Sequence, residues 1–178
     1  MADWNLHYPQ WMIGDGTPDL SVEEVFEWFA VEFWSVDPLV KTSSGQRSAD
    51  PVQDYRYEVR AEVIYVTEKA VVIDFGLVTT GPRDRVPVNI NVGEFVSGVI
   101  SVGVPLCIDV DPKDVPGGLG YSWRINQITA DLTPYVPQEE NSRYFVRDVS
   151  RLTYRQVNST MRVEAHDYVL HCTEIRRF

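Results

Sequence analysis

Four arginines recur at every fourth position: Arg143, Arg147, Arg151 and Arg155. On a helix this spacing leaves them along one slowly drifting stripe, and on a strand it puts all four on one face. Either conformation lines up a single guanidinium row. Such a row could grip phosphates or carboxylates through charge-assisted, bidentate hydrogen bonds. It could also face the chain's own acidic N-terminal two-thirds, and with a net charge of −10 that is the expected use. Tryptophans form a second group. Trp4, Trp11, Trp28 and Trp34 could stack bases or sugars, at about 1–3 kcal/mol per stacked ring. Their alternative is to tie the segment that carries them onto a core.

The remaining chemistry is sparse. His7, His166, His171, Cys107 and Cys172 are the soft metal ligands, and none stands at C-x2-C or H-x3-H spacing. His171 and Cys172 are neighbours, so on a strand they face opposite sides. Asp109, Asp111 and Asp114 hint at a calcium loop, but Lys113 sits where a third oxygen ligand belongs. A solvated acidic turn is expected there, and no metal or cofactor is expected in the chain. His166-Asp167 has the composition of a base with its orienting carboxylate, yet the sequence ties no serine or cysteine to it. An elbow, Walker or Rossmann glycine pattern is missing too.

Charge is spread unevenly. Residues 1–121 hold 8 Lys+Arg against 19 Asp+Glu, a net of −11, whereas residues 122–178 hold 8 Arg against 7 acids, a net of +1. An acidic body repels phosphate backbones and favours basic partners, which counts against nucleic acid as the main partner. No apolar run approaches the ~20 residues of a membrane-spanning helix. Met1 to Gln10 lacks a leader pattern, and two cysteines do not make a disulfide framework, so a reduced cytoplasmic protein is expected.

The elements that must position these residues read mostly as strands. From Tyr55 to Tyr65 every second residue is apolar, while Arg56, Glu58, Arg60 and Glu62 face the other way. Period-2 patterning of this length marks a strand with one buried and one wet face. Ala70 to Thr80 reads as a second strand, Val88 to Val102 restarts β structure, and Tyr121 and Tyr168 open two more. Ahead of these, Ser21 and Glu24 form a capping-box pattern before an apolar face of Val22, Val25, Phe26, Phe29 and Phe33, which predicts a helix. The β-branched and aromatic content of Val25 to Trp34 is the competing strand signal.

Residues 55–108 resemble the front half of an OB-fold barrel, S1-like in particular. The resemblance rests on the long strand, the strand carrying Ile73-Asp74-Phe75-Gly76, and Val92-Gly93-Glu94-Phe95-Val96-Ser97-Gly98. It implies a fold more than a ligand, because the basic, aromatic-exposed S1 binding face is missing.

Together these features predict one mostly-β domain: an OB-like barrel or compact antiparallel sandwich. It carries an N-terminal aromatic, helical segment (1–40), a β core (52–130) and a C-terminal extension (141–178) that completes the sheet. The expected function is non-catalytic binding of a basic protein partner, by analogy with immunity proteins that neutralise basic toxins. An OB-type binder of oligonucleotide or oligosaccharide is the alternative, and a small hydrolase-like enzyme using His166 or His171 the third.

Overall fold

The alternation from residue 55 onward folds as read: Tyr57, Val59, Ala61 and Val63 are buried, while Glu58 is exposed. The computed structural model describes residues 2–178 apart from 14–16, 106–108, 139–143, 162 and 164, and it leaves the side chains of Trp28 and Phe29 undescribed. Over half of the chain is strand. In chain order the strands are β1 (Asp3–Pro9), β2 (Val25–Phe29), β3 (Glu32–Trp34), β4 (Val40–Thr42), β5 (Ser48–Gln53), β6 (Arg56–Val66) and β7 (Ala70–Asp74). They continue with β8 (Val78–Pro82), β9 (Phe95–Gly103), β10 (Tyr121–Asp131), β11 (Tyr135–Pro137), β12 (Phe145–Arg147), β13 (Tyr154–Val157) and β14 (Asp167–Arg177).

Five strands close into a barrel in the order β6–β7–β8–β3–β9, with β9 returning to β6. A bulge at Ile64 makes closure possible. β6 pairs with β9 from Arg56 to Glu62 and with β7 from Glu62 to Val66, the bulge falling within the β7 pairing, and a bulge bends the strand that carries it. The stretch read as one strand from Ala70 to Thr80 is a hairpin. Gly76, at φ +105°, takes a turn that a side chain would resist, so the chain reverses between β7 and β8.

The expected N-terminal helix is absent, and short 3-10 turns are the only helical structure among the described residues. Its capping signal does form locally, since Ser21 N–H donates to the Glu24 carboxylate at 2.8 Å. Beyond this cap the chain becomes strand, because β2 finds a ready edge on β10 and β3 fills the gap between β8 and β9. Branched and aromatic side chains suit that pleated setting better than a helix.

Beyond the barrel, β9 meets β1 in parallel at His7 and Gly103, and the sheet runs on through β14 and β10 to β13. Tyr121 locks the sheet onto the barrel: its hydroxyl accepts from Val78 N–H at 2.8 Å and donates to Val78 C=O at 3.2 Å. Trp4, Tyr8, Phe33, Tyr57, Trp123 and Tyr168 fill the core between them.

Candidate functional site

Where β9 meets β1, His7, Glu32, Trp34, Tyr55 and Asp167 come together outside the core. Gly103 makes the approach possible. A Cβ there would lie 2.7 Å from His7 O, 2.9 Å from His7 Cβ and 3.1 Å from the Trp34 ring, distances no side chain accepts without displacement. Glu32 and His7 are both register partners of Gly103, from β3 and β1. Paired residues share a face, so the two side chains emerge together on the barrel's outer surface.

His7 is the hub. Its Nε2 lies 3.2 Å from Asp167 Oδ1, and its ring packs against Trp34 and Tyr55, with centroids 5.4 and 4.7 Å away. Trp34 and Tyr55 are themselves 5.9 Å apart. Burial holds the Tyr55 hydroxyl above its ordinary value, with Asp167 adding to the shift and Arg147 opposing it. On the other side of His7 a cleft of about 210 Å³ opens between Trp11 and Trp34, with Met12, Glu32 and Val104 on its walls. The Glu32 carboxylate has neither a hydrogen-bond donor nor a cation among the described residues, and burial pushes its pKa up to about 7. A carboxylate so placed is electrostatically incomplete.

The described arginines of the row fall on separate elements. Arg147 ends β12, Arg151 lies in a 3-10 turn and Arg155 sits on β13, so three elements share what one was expected to carry. Asp148 accepts from Ser150 N–H at 3.1 Å and breaks the segment there. Arg147 pairs with buried Asp131 and donates to the Tyr154 hydroxyl at 2.6 Å, which in turn donates to Asp54 at 3.3 Å. Arg151 pairs with Asp148 at 2.5 Å. Both acids belong to the C-terminal third rather than to the acidic N-terminal body. Arg155 is exposed, and Arg143 lies outside the described residues.

Among the tryptophans Trp4 is core, packed edge-on to Tyr57 and Phe75. Trp11 is 61% exposed, Trp34 is half-buried, and the Trp28 side chain lies outside the described residues. The histidines of the enzyme reading stand apart. His166 is exposed against the Tyr135 ring, whereas half-buried His171 lies 2.7 Å from Asn5 Oδ1 and 3.1 Å from Thr129 Oγ1. Asp167 serves His7, not its neighbour His166. Burial pushes the Cys172 thiol up to about 12; Cys107 lies outside the described residues. Asp111 accepts from Lys113 N–H at 3.0 Å, the ordinary bond of a polar turn.

Sequence reasoning missed His7, Tyr55, Asp167 and Glu32 as a group. The one local signal was Glu32 itself, an acid between Val31 and Phe33 in an apolar run. No protein-family model, no curated protein and no solved structure matches the chain. Among the described residues no helix is long and apolar enough to cross a membrane.

Proposed function

We propose that this chain is a non-catalytic binding protein whose acidic surface receives a basic protein partner, in charge logic like an immunity protein set against a basic toxin. The observation that carries this reading is how the charges are spent. Arg47, Arg147, Arg151 and Arg176 are held in internal ion pairs, and Arg83 and Arg177 are aimed at backbone carbonyls. Exposed Glu23, Asp37, Asp50, Glu58 and Glu68 have no ion pair among the described residues. Exposed Arg56, Lys69, Lys113, Arg124 and Arg155 also have no ion pair among the described residues, so the outward surplus follows from the net charge of −10, which steers cationic partners.

We read the barrel as OB-like, with β3 arriving from ahead of β6 to lie parallel to β8. The oligonucleotide alternative then weakens. OB barrels present their second and third strands to nucleic acid, whereas β7 and β8 are buried along nearly their whole length. The test compares fluorescent Arg/Lys-rich peptides with a single-stranded oligonucleotide of equal length. Peptide binding that weakens steeply with added salt supports the reading, and tighter binding of the oligonucleotide overturns it.

A further inference from the structure

Resting on the reading of a basic partner, we propose that the cleft between Trp11 and Trp34 seats one cationic side chain of that partner, arginine or lysine, with its charge against Glu32. Three observations converge on this occupant. First, the cleft holds about 210 Å³, below the roughly 300–1,000 Å³ of a site for a whole small-molecule ligand. That is room for one side chain rather than a sugar chain or an extended nucleotide strand. Second, its walls are indole rings and thioether, surfaces that attract a cation through the ring faces and shelter its methylene stem. Third, the two ionisable side chains lining the cleft differ in their partners. His7 has Asp167 at 3.2 Å, whereas Glu32 has no partner among the described residues.

An entering ammonium or guanidinium supplies what Glu32 lacks, a charge-assisted donor in a site already stripped of much of its water. Burial disfavours the charged form of Glu32, and a cation placed against it would favour that form again. A neutral sugar could stack on the indoles but brings no charge that would hold the ionised form of Glu32. A phosphate would face it as a like charge.

The probes are N-acetyl-arginine amide and N-acetyl-lysine amide, titrated against tryptophan emission and by calorimetry, with glucose and a mononucleotide as comparison ligands. Saturable binding of a cationic amide with a Kd of millimolar order is expected, weakened about tenfold or more in Glu32→Gln and in Trp11→Ala. Trp11→Phe should recover part of the loss. Trp11 is largely exposed, so its truncation leaves folding intact and the comparison interpretable. Unchanged amide binding in Glu32→Gln, or equal binding of glucose, would overturn the assignment. If both variants still bound the Arg/Lys-rich peptides as wild type does, the cleft assignment would fail while the basic-partner reading stood. Loss of peptide binding by the wild-type protein would remove both.

Discussion

Replacing Glu32 by glutamine should make the protein more stable at neutral and alkaline pH. Burial holds this carboxyl at about 7 against an ordinary 4.5. At about 1.4 kcal/mol per pH unit, that gap sets a ceiling near 3 kcal/mol. The side chain keeps some contact with water, so screening brings the expected gain to about 1–2 kcal/mol. The sign comes from proton binding. In the folded chain Glu32 keeps its proton up to pH about 7, and in the unfolded chain it releases it near 4.5. Between those values the folded state holds the extra proton, so wild-type stability falls as pH rises through the window and stays reduced above it. Glutamine does not titrate. His7 lines the cleft, and Lys69 and Asp109 line a smaller cavity that Glu32 also borders; these groups are common to both proteins and leave the difference to Glu32. Urea unfolding at about pH 4, 6 and 8 should show near-identical midpoints at the lowest value and a higher midpoint for Glu32→Gln at the highest, by about 0.5–1 M for a slope near 2 kcal/mol/M. A difference that stays constant across the three pH values, or a wild type that is the more stable at pH 8, would refute the reasoning.

The same geometry sets three further outcomes. Gly103→Ala forces a Cβ to within 2.7 Å of the His7 carbonyl and should cost about 1–3 kcal/mol, read as a melting temperature lower by roughly 2–12 °C; an unchanged melt would mean that β1 and β9 are not held this closely. Arg147→Ala strands the buried Asp131 carboxylate and should destabilise by about 1–3 kcal/mol, whereas Arg151→Ala should leave the melting temperature unchanged, and equal losses at both positions would contradict the pairing described. Val63→Asp buries an unpaired carboxylate at a site with no solvent exposure and should cost several kcal/mol, of the order of 2–7, while Glu58→Ala should be near neutral; similar chemical-denaturation midpoints would sink the register of β6.

The fold was legible where the pattern was local. Strict alternation announced β6, and the apolar runs opening at Tyr121 and Tyr168 announced β10 and β14. Reading failed where a tertiary partner decided the outcome. Nothing in Val25 to Trp34 shows that β10, β8 and β9 will offer edges to it, so a correct cap pointed to a helix that does not form. The even arginine spacing was real, but it assumed a continuous element, and Asp148 breaks that element. The candidate site was the least legible part. His7 and Asp167 come from opposite ends of the sequence, and no spacing rule connects residues brought together by strand pairing alone.

That pairing also has a consequence in time. β1 has its antiparallel partner in β14, with Asp3 opposite Thr173 and Pro9 opposite Asp167. During synthesis β1 therefore emerges long before the strand that satisfies it. Contacts so far apart along the chain slow folding, because the entropy of closing the long intervening loop is lost before the contacts compensate it. Until then Trp4, Leu6 and Tyr8, all buried in the finished protein, present an open apolar strand edge, the kind of surface that pairs with whatever strand arrives first. Chaperone demand and aggregation on refolding should therefore track the availability of β14, and a separately supplied peptide of residues 167–177 should suppress aggregation of a chain halted before it.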